Sequence, residues 1–250
     1  MSQGPVLRLE HVVKRFGGTL AVNDVTITLD GSRVYGLIGP NGSGKTTLVN
    51  LISGLVDLDG GAIILDGQHL EQRLAHEMAA LGIVRTFQMP RAFASMTLLE
   101  NLLVPIAGDH RREPLAALRG RAREALEHTG LGHMAHAPAA SLSGGQTMLL
   151  QLARALMFEP VRLLLLDEPF AGVAPAIKER MMETIRHINR ARGALVLLIS
   201  HEMSTVRLLC ERVAVMNLGS LIAEGTLAEV AAQPAVIEAY LGKPISVARP

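Results

Sequence analysis

This chain of 250 residues has a single cysteine, almost no net charge and no long apolar run. The lone cysteine, Cys210, excludes an internal disulfide and favours a reducing compartment. The 24 basic and 23 acidic side chains leave a formal charge of +1, so no overall basic field points to nucleic acid or to an anionic membrane surface. Partners therefore have to be inferred from individual sites.

The hydrophobic segments are short. The apolar runs at 163–166 and 194–199 fall well below the roughly 20 residues that a membrane-spanning helix needs, so none is expected. The opening residues, MSQGPVLRLEH, lack the basic end and the hydrophobic stretch of a signal peptide. We therefore expect a cytoplasmic chain, in which 49% apolar residues are ample for a buried core.

Short leucine-rich and β-branched runs predict strands near residues 6–10, 25–29, 33–38, 62–65, 83–86, 162–166, 194–199, 212–217 and 220–223. Helical patterns dominate the middle of the chain, at 97–107, 115–129 and 145–158. These patterns predict an α/β fold with a mixed sheet of mostly parallel buried strands, an antiparallel β edge and an inserted α-helical subdomain. We expect one domain over 1–250, with a core formed by 1–87 and 160–250 and the helical subdomain at 88–159.

A glycine-rich loop follows the apolar segment VYGLI and precedes a helical pattern. It fits every fixed position of the pattern GxxxxGK[ST]. Such glycines let backbone N–H groups turn onto a β-phosphate, the lysine reaches the β- and γ-phosphates, and the hydroxyl can ligate Mg²⁺. The sequence thus predicts an ATP or GTP site. Its phosphate loop consists of Gly39, Pro40, Asn41, Gly42, Ser43, Gly44, Lys45, Thr46 and Thr47.

Two adjacent carboxylates follow a predicted buried strand. The segment VRLLLLDEP places Asp167 at the C-terminal end of that strand, where open α/β sheets bind ligands, and a metal-bound triphosphate needs such a carboxylate. Glu168 is a candidate base for a water molecule. An acidic pair after a strand is more often a solvated strand end. Beside a complete phosphate loop, the functional interpretation is favoured.

The segments GPNGSGKTT, LSGGQ, LLLLDEP and LLISH occur in this order, and through them the chain resembles the ATP-binding cassette subunit of ABC transporters over nearly its whole length. The resemblance implies a P-loop NTPase core, ATP with Mg²⁺, and hydrolysis by two cassettes that close around two ATP molecules. The implied partners are a second ABC ATPase subunit, identical or homologous, transmembrane permease subunits and, indirectly, a solute-binding protein. No nucleic acid partner is implied, and the implied location is the cytoplasmic face of the inner membrane.

Further residues acquire roles only through this resemblance. Phe16 matches the aromatic ring that stacks on adenine, Gln88 the glutamine that contacts metal and attacking water, and His201 the histidine that contacts the γ-phosphate. The implied metal ligands are Thr46, Gln88 and Asp167. The signature segment, which completes the site of the opposite subunit, consists of Leu142, Ser143, Gly144, Gly145 and Gln146. Taken alone, Phe16 would more often be a core residue, Gln88 a loop residue and the signature serine an ordinary helix N-cap.

The chain departs from the family pattern in two places. Thr147 and Met148 follow the signature segment where polar or basic residues are common, which predicts altered packing or altered contact with the facing subunit. Ala174 occupies a position that is usually Asp or Asn. The missing polar side chain helps to couple the two sites, so we expect weaker coupling between sites that still hydrolyse ATP.

Three stretches are similar to the subunits that energise branched-chain amino acid uptake: RTFQMPRAFASMTLLENLLV, DEPFAGVAP and LGSLIAEGTLAEVAAQPAVIEAYLG. Urea and short-amide importers share these features, and EPFAGV also occurs in the ATPase of lipopolysaccharide export, so both stay open as alternatives. In all of these, the apolar stretch around 88–105 is expected to receive a cytoplasmic helix of the membrane partner.

Two rivals lie outside transport. A soluble ABC-type ATPase acting on nucleic acid usually carries two cassettes, a coiled-coil insertion or zinc cysteines, and the sequence shows none of these. A module that binds nucleotide without hydrolysing it is disfavoured by Glu168 and His201.

Overall fold

The computed structural model describes residues 4–71, 73, 75–86, 92–106 and 113–241. Within these ranges the strands are β1 (Val6–Phe16), β2 (Thr19–Asp30), β3 (Val34–Ile38), β4 (Gly60–Leu65), β5 (Gln68–His69), β6 (Ile83–Thr86), β7 (Leu163–Asp167), β8 (Leu195–Ile199), β9 (Arg212–Asn217) and β10 (Ser220–Gly225). The α-helices are α1 (Lys45–Ile52), α2 (Ala75–Ala80), α3 (Leu98–Leu103), α4 (Leu115–His128), α5 (Gly144–Leu156), α6 (Pro175–Arg192), α7 (Met203–Leu209), α8 (Leu227–Ala231) and α9 (Pro234–Leu241).

The larger sheet has six strands in the order β10-β9-β3-β8-β7-β6. All neighbouring strands are parallel except β10, which pairs antiparallel with β9. The C-terminal ends of β3, β7 and β8 therefore meet at one edge of the sheet, where ligands bind in folds of this kind. This edge brings together segments that are more than a hundred residues apart in the sequence.

A second, antiparallel sheet has the order β2-β1-β4-β5 and confirms the predicted antiparallel edge. Its first two strands are longer than predicted, because β1 continues past His11 to Phe16 and β2 begins at Thr19. Register shifts in the β1 and β2 pairing explain the difference. An extra residue at such a shift breaks the alternation of apolar and polar side chains on which the sequence prediction depends.

The leucine run of β7 is buried on both faces of the larger sheet, as predicted for a parallel strand. Leu163 and Leu165 belong to a core shared with α1 and the antiparallel sheet. Leu164 and Leu166 belong to a second core that contains residues of α5 and α6. Because both faces are packed, the end of β7 is held rigidly where its carboxylates begin.

Helices and 3-10 turns dominate the described part of the chain between β6 and β7. In the described part of this stretch no strand forms, and the one β-bridge joins Thr97 to Pro138. Helix α3 is shorter than predicted because a 3-10 turn, Val104–Ile106, replaces its last turn at Pro105. No helix among the described residues combines the length and the hydropathy that crossing a bilayer requires.

Candidate nucleotide-binding site

The phosphate loop leaves β3 through backbone conformations that only glycine adopts freely. Gly39 has φ 147° and Gly44 has φ 99°. A Cβ on Gly39 would lie 2.1 Å from the carbonyl oxygen of Met216, and a Cβ on Gly44 would lie 2.3 Å from that of Ala21. The loop is thus wedged against two strands from other parts of the chain, and α1 begins directly after it at Lys45.

The side chain of Lys45 turns into the loop that precedes it. Its Nζ donates to the carbonyl oxygens of Gly39 at 2.8 Å and Pro40 at 2.9 Å, and contacts Ser43 Oγ at 3.3 Å. Burial lowers the pKa of the Lys45 ammonium, and the neighbouring carboxylate of Glu168 opposes this shift. A nearly buried cation at a helix N-terminus is suited to bind a polyanion.

A cavity of about 820 Å³ lies at this edge of the sheet. The phosphate-loop residues 41–47, the two carboxylates at the end of β7, and His201 after β8 all line it. The structure therefore brings together the predicted phosphate loop, Asp167, Glu168 and His201. Their common position follows from the strand order, because β3, β8 and β7 are adjacent.

Asp167 is 4% exposed and pairs with an arginine that the sequence analysis missed. Nη2 of Arg85, on β6, lies 3.2 Å from Asp167 Oδ2. Burial raises the pKa of the Asp167 carboxyl group, and the charge of Arg85 opposes that rise. A buried arginine in a parallel strand normally has a carboxylate partner, so Arg85 could have been noted from the predicted strand at 83–86.

Glu168 and His201 form a close pair beside the cavity. His201 Nδ1 lies 2.8 Å from Glu168 Oε2; the Glu168 side chain is 15% exposed and the His201 side chain 65% exposed. Glu168 has φ 50°, and its backbone N–H donates to the Ile199 carbonyl at 3.0 Å. A glutamate is rarely found at positive φ, and such strain persists where surrounding bonds fix the conformation.

The antiparallel sheet and the turn between β9 and β10 supply the remaining walls of the cavity. Thr19, Leu20 and Ala21 of β2 line it together with Leu218, whose side chain is 82% exposed. Sequence analysis missed these residues because only the packing of β2 and of the β9–β10 turn against the phosphate loop brings them to the cavity. Gly219 N–H donates to the Ser43 carbonyl at 3.1 Å, which holds this turn against the phosphate loop.

Phe16 is half exposed at the end of β1, so it is not a core residue. It pairs across the hairpin with Thr19, which lines the cavity. The Nζ of Lys14 lies 5.5 Å from the centroid of the Phe16 ring. Gln88, which the family resemblance implies as a contact of the metal and the attacking water, lies outside the described residues.

The signature segment forms the N-terminus of α5 through a capping box. Gln146 N–H donates to Ser143 Oγ at 3.3 Å, and Ser143 N–H donates to Gln146 Oε1 at 2.9 Å. Ser143 and Gly144 are exposed, and a Cβ on Gly144 would meet nothing within 4 Å. Among the described residues that line the 820 Å³ cavity, none belongs to this segment.

The residues after the signature face the same chain. Met148 is 5% exposed and packs in the core of the helical region, and Thr147 Oγ1 donates to the Ser143 carbonyl at 2.9 Å. Gly145 packs against α6, since a Cβ there would lie 3.0 Å from Ile177 Cδ1. The departure at Thr147 and Met148 therefore affects packing within this chain.

Ala174, the second departure, is the N-cap residue of α6 and provides no side-chain cap. Pro175 follows at the first helical position. In the first turn, Lys178 Nζ donates to both carboxylate oxygens of Glu202 at 2.7 Å. Because Glu202 follows His201, this ion pair ties the start of α6 to the end of β8.

A phosphate loop opening a helix, with carboxylates at the end of a neighbouring parallel strand, defines a P-loop nucleotide-binding protein. The family model described as ABC transporter matches residues 22–171, and one described as Branched-chain amino acid ATP-binding cassette transporter matches residues 220–245. The chain therefore belongs to the ABC transporter family, as an ATP-binding cassette subunit and an ABC ATPase.

Individual proteins agree with this membership. The chain is 39% identical over 257 residues to the high-affinity branched-chain amino acid transport ATP-binding protein LivG of Escherichia coli strain K12, covering 97% of this chain and 100% of LivG. It is similar to a crystal structure of the ADP conformation of an ABC transporter cassette, with a TM-score of 0.84, 34% identity and coverage of 97% and 100%. A dimeric cassette in a post-hydrolysis state, bound to ADP and Pi, gives a TM-score of 0.79 with 26% identity and coverage of 88% and 98%.

Proposed function

We propose that the 820 Å³ cavity binds ATP through the phosphate loop, with Mg²⁺ held by Thr46, Asp167 and Gln88. Thr46 and Asp167 both line the cavity and offer a hydroxyl and a carboxylate oxygen. These donors suit Mg²⁺, which commonly takes one or two protein oxygens and completes its shell with phosphate oxygens and water. When bound, the metal neutralises charge on the β- and γ-phosphates. Lys45 supplies a second positive charge, and Phe16 stacks on the adenine.

In this proposal Glu168 accepts a proton from the attacking water. The 2.8 Å contact between Glu168 Oε2 and His201 Nδ1 supports it, because a base needs a fixed orientation. His201 is largely exposed on the cavity side of this pair and is available to donate to a γ-phosphate oxygen. Lys45 and His201 then stabilise the charge that develops on the transferred phosphoryl group.

The site is completed by the signature segment of a second cassette, a copy of this chain or a homologous subunit. The N-terminus of α5 carries an exposed serine and two glycines whose backbone N–H groups have no partner within the helix, and such helix starts attract anions. Among the described residues that line the cavity of its own chain, none belongs to the α5 N-terminus. A lysine is unnecessary there because Lys45 of the facing subunit supplies the charge.

We further propose that residues 88–159 form a helical subdomain that receives the membrane partner. A second, mostly apolar cavity of about 420 Å³ lies where this region meets the core, and Leu55, Phe93, Pro105 and Phe158 line it. Leu55 and Phe93 are each about half exposed. An amphipathic helix of a permease subunit, on the cytoplasmic face of the membrane, fits such a groove.

The transported solute is proposed to be a branched-chain amino acid. The observation that carries this is the match of residues 220–245 to the branched-chain amino acid cassette family, a region outside residues 22–171, which match the general ABC transporter model. A periplasmic or lipid-anchored solute-binding protein then acts indirectly, through the permease.

The test is uptake of labelled solutes by cells of the source organism whose copy of this gene is deleted. Leucine uptake should be lost, then restored by the wild-type chain but not by Lys45→Ala, at equal protein levels. Arg162→Met, which removes an exposed ion pair to Asp66, is the matched control and should restore uptake. Normal leucine uptake with loss of urea or amide uptake would assign a different solute, and unimpaired uptake of all of them would refute a role in import.

A further inference from the structure

Arg85 contacts side chains of both cavities. Its side chain is 9% exposed; Nη2 lies 3.2 Å from Asp167 Oδ2, and Nη1 donates to Asn50 Oδ1 at 2.7 Å and Ser53 Oγ at 2.9 Å. Asp167 lines the nucleotide cavity, whereas Ser53 and Arg85 itself line the apolar cavity that also contains Phe93. A single planar group thus joins the metal-binding carboxylate to the groove.

The geometry makes this connection stiff. A guanidinium is planar, and bonds from both of its terminal nitrogens fix its orientation more firmly than a lysine ammonium can be fixed. Since Arg85 occupies one oxygen of Asp167, any rotation of that carboxylate also displaces the guanidinium. Breaking the buried pair is costly, because removing either Arg85 or Asp167 leaves an uncompensated charge in the core.

We propose that Arg85 is a positioning residue that orients Asp167 for Mg²⁺-ATP and transmits changes at that carboxylate into the apolar cavity. This inference rests on the proposed function of Asp167 as a metal ligand. By thermodynamic linkage, an occupant that displaces Arg85 in the apolar cavity also changes the affinity for Mg²⁺-ATP.

The first test measures how much Mg²⁺ improves ATP affinity. Titration calorimetry of the full chain with ATP, in Mg²⁺ and in EDTA, gives this gain as a ratio of two Kd values. Arg85→Met should reduce the gain by about tenfold or more, because partners that orient a metal ligand typically contribute that much to metal affinity. Arg85→Lys should recover part of the gain, and the control Arg162→Met should keep all of it.

The outcomes separate the two proposals. If Asp167→Asn keeps the full gain, the proposed metal role of Asp167 fails. If Asp167→Asn loses the gain while Arg85→Met keeps it, Asp167 is a ligand and only the role of Arg85 is refuted. Should Arg85→Met not fold, Arg85→Lys decides, because it keeps the charge without the fork; a wild-type gain in that variant refutes the positioning role.

The second test measures transmission into the apolar cavity. The sequence has no tryptophan, so Phe93→Trp introduces a single tryptophan there, which can be excited selectively at about 295 nm, where tyrosine absorbs very little. Saturating Mg²⁺-ATP should shift its emission when Arg85 is present, and should leave it unchanged when Arg85→Met is added at a nucleotide concentration that saturates both proteins. Equal shifts with and without Arg85, or no shift in either protein, would refute the transmission.

Discussion

Two glycines of the phosphate loop share a strained backbone but have different surroundings. Gly42 and Gly44 both have positive φ, at 79° and 99°. A Cβ on Gly42 would meet nothing within 4 Å, whereas one on Gly44 would lie 2.3 Å from the Ala21 carbonyl oxygen. Comparing alanine substitutions at Gly42 and Gly44 therefore separates the free-energy cost of backbone strain from the cost of displacing a neighbouring strand.

We therefore expect Gly44→Ala to be the more damaging substitution. Gly42→Ala should lower the free energy of unfolding by about 1–2 kcal/mol through its left-handed backbone alone. Gly44→Ala should cost at least about 1 kcal/mol more, because β2 or the loop has to move, and it should abolish ATP binding. Urea unfolding and titration calorimetry measure both effects. Equal losses in the two variants would show that the contact with Ala21 is unimportant.

The carboxylate of Glu168 gives a second prediction at this scale. An amide cannot accept the proton of the attacking water, so Glu168→Gln should slow ATP hydrolysis by about 10²–10⁴-fold while Mg²⁺-ATP still binds. Phosphate release and titration calorimetry on the same preparation measure the two properties. Glu183→Gln, on the exposed face of α6, is the control. Hydrolysis at the wild-type rate by Glu168→Gln would exclude Glu168 as the base.

Functional residues were predictable where a local sequence pattern defines their role. Lys45 belongs to a complete phosphate-loop pattern and Asp167 directly follows a strand pattern, so the sequence alone indicated their chemistry. Arg85 and Leu218 join the site only because β6 pairs with β7 and because the β9–β10 turn packs on Ser43. Such contacts depend on strand order, which one sequence does not encode locally.

At the scale of elements, α6 begins without a side-chain cap. Ala174 has the extended backbone of an N-cap residue, and its carbonyl accepts from Ile177 N–H at 3.0 Å, but it offers no side-chain acceptor to the first turn. Asp at this position would accept a hydrogen bond from that turn and would interact favourably with the helix dipole. The departure at Ala174 therefore leaves the start of α6 without the stabilisation that a side-chain N-cap provides.

Ala174→Asp should raise stability by about 1 kcal/mol and should increase the cooperativity of ATP hydrolysis. Ala174→Ser is the matched control, because serine also caps the helix but lacks the carboxylate that couples the sites. Urea unfolding measures the first effect, and the dependence of hydrolysis rate on ATP concentration measures the second. If both variants gain stability but neither changes the rate or its cooperativity, the coupling role of this position is wrong.

Helices α4 and α6 meet at two imidazoles. The ring centroids of His128 and His187 are 3.9 Å apart, and Arg121, Glu124 and Arg192 line the small cavity around them. Burial is the main cause of a lowered pKa at His187, and the charges of His128 and Arg192 add to it. The contact therefore favours the neutral imidazole.

A histidine whose pKa is lower in the folded than in the unfolded state binds protons more readily on unfolding. Its contribution to stability is present above the unfolded value of 6.5 and is lost as the pH falls below it. The urea concentration at the unfolding midpoint should thus decrease as the pH is lowered from about 7.5 to about 5.5, and this decrease should be smaller in His187→Gln. His136→Gln, at an exposed histidine, should leave the fall unchanged. An undiminished fall in His187→Gln would contradict this explanation.

The order of the strands was predictable except for the two-residue β5, whereas no prediction was made for α6, and element boundaries were less accurate. The leucine-rich runs of β7 and β8 predicted buried parallel strands, and the helical patterns predicted α4 and α5 within two residues. The prediction failed where hydrogen bonding overrides pattern. Register shifts in the pairing of β1 with β2 break the alternation of apolar and polar residues, so the full length of these strands is hidden in the sequence. Pro105 converts the end of α3 into a 3-10 turn.

At the scale of the whole molecule, the chain carries two helix N-termini suited to phosphate. One, at α1, opens the nucleotide cavity beside Lys45; the other, at α5, is exposed and absent from the described lining of that cavity. Sequence motifs identified both, but only the structure shows that the α5 N-terminus is absent from the described lining of the nucleotide cavity. The proposed site shared between two subunits would account for this separation and for the absence of a lysine at α5.

The shared site is tested most directly by mixing two variants, each of which breaks a different half. Lys45→Ala removes the phosphate-binding lysine, and Ser143→Arg blocks the signature segment while leaving ATP binding by the monomer intact. Each variant alone should be inactive in Mg²⁺-ATP hydrolysis. In a mixed dimer, one site combines Lys45 of the Ser143→Arg subunit with Ser143 of the Lys45→Ala subunit, so it is intact.

The measurement is the rate of phosphate release from an equal mixture, compared with the two variants assayed separately at the same total concentration. The account predicts activity above the sum of the separate rates, because mixed dimers regain one complete site. A mixture no more active than its components would contradict a site assembled from two copies of this chain. A Ser143→Arg variant that alone hydrolyses ATP at the wild-type rate would contradict any role of the signature segment in a shared site.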